Sequence, residues 1–143
     1  MHTAFGTAPQ GDFQNCTNLK SIDLTNIVTM ASNPSNNIFK GTSLVEMILP
    51  NITSLPTYIG AGISTLKKID VGPKCTSVPQ YFAYFNTNAV FIFRSVTPPT
   101  LASSSHTYNH LFYVPDESVE AYKTAENWSA LASRIQPISE YSE

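Results

Sequence analysis

Three pairs of side chains in this 143-residue chain are of types that do chemistry: Asp23 with Asp70, His106 with His110, and Cys16 with Cys75. Two carboxylates at a fixed separation can hydrolyse a glycoside, one as acid and one as base or nucleophile. Two histidines at i and i+4 on a helix face can ligate a metal. Two cysteines can close a disulfide if their backbones approach. The surrounding residues support none of these. The histidines stand among Ser103, Ser104, Ser105 and Asn109, a loop composition with no acid or cysteine nearby, and are expected at the surface without a ligand role. The aspartates are expected about two strand spacings apart on an open face without a pocket. The cysteines fall at different places in a repeating unit, ~10 Å apart and beyond disulfide reach, so both are expected as free thiols serving as small core hydrophobes. The chain is therefore expected to be non-enzymatic, with no catalytic residue, no metal and no cofactor.

The element that carries Asp70 shows why. Leu66-Lys67-Lys68-Ile69-Asp70-Val71 alternates as a strand does, with Ile69 and Val71 on one side and Lys68 and Asp70 on the other. The same form appears at Leu19-Lys20-Ser21-Ile22-Asp23-Leu24 and at Leu44-Val45-Glu46-Met47-Ile48-Leu49, so the hexads begin at Leu19, Leu44 and Leu66, at nearly even intervals. Degenerate versions follow at Val90–Arg94 and Leu111–Val114. A second set, Ile27/Met30, Ile52/Leu55 and Cys75/Val78, recurs independently at spacing three. L-x-x-L-x-L recurring at such an interval is the mark of a leucine-rich repeat. The expected fold is a leucine-rich repeat solenoid, a right-handed superhelix of the β/α type. It has one short parallel strand per repeat and about five coils over 1–115. Residues 1–12 form an irregular lead-in or partial repeat, and 31–37 a polar loop. Ile22, Met47, Ile69, Phe91 and Phe112 form one inward ladder; Leu24, Leu49, Val71, Phe93 and Val114 form the next. Near-identical hexads at long spacing argue against an antiparallel sandwich.

After Pro115 the pattern changes. Asp116 or Ser118 can cap a helix carrying Val119, Tyr122 and Ala125 on one face. Trp128, Leu131, Ile135 and Ile138 are too apolar for solvent. Residues 116–143 are expected as a C-terminal helical cap over the last open repeat.

The outward strand positions make two columns, one of Asp23, Ile48, Asp70, Ile92 and Tyr113, the other of Ser21, Glu46, Lys68, Val90 and Leu111. They are charged in the N-terminal half and apolar in the C-terminal half, a candidate binding face unless the tail folds over it. Tyr81, Phe82, Tyr84 and Phe85 either pack the convex side or form a platform on which sugars stack. Charged residues are only 13% of the chain and the net charge is −2, which leaves no basic excess for nucleic acid. No apolar run reaches the ~20 residues of a membrane span, and the first residues lack the regions of a signal peptide.

The phrase from Phe13 to Leu24, FQNCTNLKSIDL, and the run from Leu111 to Trp128, LFYVPDESVEAYKTAENW, resemble the BspA-like leucine-rich repeat proteins of bacterial surfaces. The run from Val96 to Leu101 is similar to that family's C-terminal end. The resemblance implies a cell-surface or secreted binding module, often part of a larger polypeptide, with no shared catalytic residues. The expected function is to engage a protein or glycan through the outward strand face. The alternative is a structural or assembly subunit, a spacer or virion-surface component, whose apolar columns are buried against another chain.

Overall fold

The computed structural model describes residues 4–5, 13–30, 38–85 and 88–142, with backbone alone at 4–5. In chain order the elements are β1 (Ala4–Phe5), β2 (Thr29–Met30), β3 (Glu46–Leu49), β4 (Lys68–Val71), β5 (Ser77–Val78), β6 (Val90–Phe93), β7 (Thr100–Leu101), β8 (Phe112–Val114), α1 (Val119–Thr124) and β9 (Ile135–Pro137). 3-10 helices at Asp116–Ser118, Trp128–Arg134 and Ile138–Glu140 flank α1 and β9.

Strands β3, β4, β6, β8 and β9 form one parallel sheet in that order. Met47, Ile69, Phe91, Phe112 and Ile135 are successive partners, at nearly even intervals along the chain. Side chains alternate along a strand, so this register puts like residues over like. All five are buried, and so are Leu49, Val71, Phe93 and Val114 beside them. Phe91, Phe93 and Phe112 meet ring to ring at centroid separations of 5.6 to 6.4 Å. Rings at that separation contribute beyond the area they bury.

A second parallel ladder runs through the return segments. The Thr53 amide donates to Val28 O, Thr76 N to Thr53 O and Thr100 N to Thr76 O, each at 2.9 or 3.0 Å. Strands β5 and β7 pair there, Ser54 bridges Ser77, and β1 pairs with β2. Ile27, Met30, Ile52, Leu55, Cys75 and Val78 all point inward from it, as their spacing predicts, and Leu101 extends the row. Successive segments approach closely enough to need a glycine. A Cβ on Gly72 would run into the Pro50 carbonyl, while the Gly72 amide donates to Leu49 O.

Three expectations need correction. The first hexad is not a strand. Leu24 is buried, but Ile22 is only partly buried, and the Asp23 carboxylate accepts the Thr25 amide at 2.9 Å. That local side-chain bond turns the backbone away from a ladder. Of the irregular lead-in or partial repeat expected over 1–12, Ala4–Phe5 pairs with Thr29–Met30; the rest of 1–12 and the polar loop at 31–37 lie outside the described residues. Cys75 is buried, but Cys16 sits exposed in a turn, so only one of the two free thiols is a core hydrophobe.

The third correction concerns the C-terminal segment, which is only partly helical. Helix α1 spans six residues, and the backbone leaves it at Ala125 and passes Asn127 at φ 65°. Ile135–Pro137 then adds a fifth strand to the sheet, parallel to β8. Neither Asp116 nor Ser118 caps the helix with its side chain. Asp116 Oδ1 accepts the Ser139 amide at 3.0 Å, and the Ser118 hydroxyl donates to Val96 O. Even so, the segment closes the core as its composition predicts. Trp128 is fully buried against Phe93, Phe112 and Tyr122, and its Nε1 donates to Pro99 O at 2.8 Å. The Tyr122 hydroxyl donates to Ser95 O at 2.7 Å, and burial pushes its pKa well above that of an ordinary phenol.

Candidate binding face

The outward side of the sheet follows the register. One column is Ile48, Asp70, Ile92, Tyr113 and Gln136; the other is Glu46, Lys68 and Val90, with Leu111 just before β8. Ser21 and Asp23 lie outside the sheet, exposed on the irregular stretch before Thr25. Hydrogen bonding from Thr25 holds the Asp23 carboxyl below the usual range, a turn-forming role.

Two positions expected on the open face are buried. Asp70 is 7% exposed and Ile92 2%. Asp70 meets Arg94 in a bidentate pair, with Nε–Oδ1 at 2.8 Å and a second guanidinium nitrogen on Oδ2 at 2.9 Å. That hydrogen bond raises the guanidinium pKa further. Asp70 is therefore engaged in an ion pair within the sheet face and Asp23 in a turn outside it, so the two carboxylates do not share a site. The C-terminal end of the chain returns to this face. The Tyr141 ring packs edge-on against Tyr113 at 5.1 Å and lies 5.9 Å from Lys68 Nζ. The tail thus lies on the outer sheet between Tyr113 and Lys68. Asp116 holds that tail through Ser139, and Tyr141 N bonds Ile138 O.

What stays open is a groove of about 510 Å³ bordered by Val45, Glu46, Lys67, Lys68, Val90 and Tyr141. Glu46 and Lys68 form an ion pair across neighbouring strands at 3.2 Å. Val45 and Ile48 are 45% and 47% exposed, and Leu111 is exposed at the far end. A carboxylate, two ammonium groups, a phenol ring and apolar walls can recognise a ligand by charge, stacking and contact. They do not make a nucleophile with its base. Among the described residues, no three His, Cys, Asp or Glu side chains converge on a point. No helix of those residues is long and apolar enough to cross a membrane.

The sequence missed Arg94 and Tyr141. Arg94 directly follows β6, on the segment next to Asp70, so a search one residue past each hexad would have found it. Tyr141 belongs to no period and gave no signal. His110 is also a correction. Its ring is buried against Phe85 at 4.4 Å, with Nδ1 2.7 Å from Ala89 O and Nε2 2.9 Å from Phe85 O. It holds the turn before β6 to the segment before β8. His106 is exposed, with Nδ1 on the Ser105 hydroxyl, so the two histidines do not converge.

No protein-family model matches the chain, and a search of the curated proteins finds no match.

Proposed function

We propose that the chain is a non-enzymatic binding module built as a leucine-rich repeat solenoid of the BspA-like kind, displayed at a cell surface or secreted. It takes a protein or glycan partner on the outward strand face. The repeat reading is supported by parallel rows at nearly even intervals with like residues in register. The binding reading is carried by the groove between Val45, Lys67 and Tyr141, where apolar and charged groups stand open together.

The test is a binding screen of the whole chain against extracellular-matrix proteins and glycans. Ile48→Asp and Lys67→Glu are then measured on any partner found. Either substitution is expected to weaken binding by about tenfold or more, equivalent to ~1.4 kcal/mol. Unchanged affinity in both variants would remove the strand face as the site. A second reading, an assembly subunit, is favoured by the exposed apolar residues Val45, Ile48 and Leu111. Light scattering on the eluting protein separates the two, since a monomer at all concentrations speaks against assembly.

A further inference from the structure

Five aromatic rings gather on the turns that precede the sheet strands, and none of them borders the strand-face groove. Tyr58 and Tyr81 lie parallel, 3° apart, with centroids at 5.7 Å, and His106 continues the row 4.8 Å from Tyr81. Tyr84 stands across this floor, at 80° and 82° to the two tyrosines, and Tyr108 meets Tyr84 edge-on at 5.5 Å. The buried rings of the same run, Phe82 and Phe85, go to the core, so the aromatic run Tyr81–Phe85 divides between inside and outside.

These rings are held outside at a cost. Among the described residues, six non-glycine residues take a positive φ, and four belong to this cluster: Tyr58, Tyr81, His106 and Tyr108. The other two are asparagines, which tolerate that conformation, whereas bulky side chains are strained by it. Tyr84 and Tyr108 nevertheless remain 38% and 46% exposed. Strain kept at an exposed cluster points to use rather than to packing.

We infer that this cluster is a binding site for an uncharged oligosaccharide. The rings offer apolar faces on which the C–H side of a pyranose can stack. Among the described residues, the four phenol groups have no hydrogen-bonding partner and can both donate and accept. The rim is of the same chemistry. Gln80 Nε2 donates to the Ser105 hydroxyl at 3.2 Å, and Ser103 and Ser105 share a hydrogen bond at 2.8 Å. The charged group that reaches the cluster is Arg134, whose guanidinium is turned to the backbone carbonyls of Thr107, Tyr108 and His110 and to the Thr107 hydroxyl; among the described residues, the rings and this rim themselves include no Asp, Glu, Lys or Arg. Phenols and hydroxyls that both give and take hydrogen bonds match a polyol. A proline-rich peptide also docks on aromatic surfaces, but it offers these groups only carbonyl acceptors.

The experiment follows the aromatic NMR signals of the whole chain during titration with cellohexaose, maltohexaose and chitohexaose, and separately with a proline-rich peptide. At least one sugar is expected to shift the Tyr58, Tyr81, Tyr84, Tyr108 and His106 rings. Tyr84→Ala and Tyr108→Gly should each weaken that sugar by about tenfold or more, equivalent to ~1.4 kcal/mol. Glycine relieves the positive φ at 108, so the second variant keeps its fold, which an unchanged melting transition verifies. Lys67→Glu in the strand-face groove should leave the shifts unaltered, which keeps this result apart from the groove. No shift with any of the three sugars, shifts with the peptide alone, or full affinity in Tyr108→Gly would each overturn the assignment.

Discussion

At the scale of single residues, alternation along a strand tells which way a side chain points, but not what arrives to meet it. Lys68-Ile69-Asp70-Val71 shows the limit. Ile69 points inward as its place in the hexad requires, and Ile69→Ala is expected to cost roughly 2–5 kcal/mol as a cavity in a packed core. Asp70 lies on the outward column as predicted, yet it is buried and paired with Arg94. Because the Arg94 side chain is 46% exposed, it can rehydrate when its partner is lost. Asp70→Ala should therefore fall between the limits for exposed and buried pairs, at about 1–3 kcal/mol. Urea denaturation of the two variants measures both. A neutral Asp70→Ala would mean that the bidentate pair adds nothing to stability. His110 teaches the same point from the other side. Its loop composition predicted a surface ring, but two backbone carbonyls and a phenyl ring from the preceding turn enclose it.

At the scale of elements, the hexads at 44, 66, 90 and 111 were legible because each repeats one pattern of inward residues, and β3, β4, β6 and β8 lie within them. β9 was not legible. Ile135-Gln136-Pro137 carries a proline and follows a helical-looking stretch, and it becomes a strand only because β8 leaves an open edge beside it. The cap was read as helix throughout because Trp128, Leu131 and Ile135 carry the burial signal in either conformation. Its far end depends on Asp116, whose carboxyl the Ser139 hydrogen bonds hold below its ordinary value. A depressed carboxyl pKa stabilises the contact fully above the unfolded value, ~3.9, and loses it as pH falls through the folded value. The Ser139 amide signal should accordingly titrate with an inflection below the ordinary carboxylate range. In Asp116→Asn that inflection should disappear. An inflection at or above the ordinary value would show that the tail is not held this way.

At the scale of the whole molecule, one side chain decides how much of the outer sheet is available to a partner. The Tyr141 ring, set against Tyr113 and near Lys68, is what the C-terminal end of the chain lays on this face, beside Ile92's sheet neighbour Tyr113. Removing it leaves the inward core untouched, since Met47, Ile69, Phe91 and Phe112 point to the opposite side of the sheet; it is expected to uncover the apolar row of Tyr113 and its neighbour Ile92. Tyr141→Ala should therefore unfold at nearly the wild-type urea concentration but bind more of a hydrophobic dye. If the face works by meeting another chain, the uncovered row should also bring on self-association, seen by light scattering as mass rising with concentration. If the groove takes a soluble partner instead, the variant should stay monomeric and bind that partner differently, because one wall of the groove is gone. A variant with unchanged dye binding and unchanged mass would mean that Ile92 is shielded by the sheet and Arg94 rather than by the tail. The open surface would then be confined to Val45, Ile48 and Leu111.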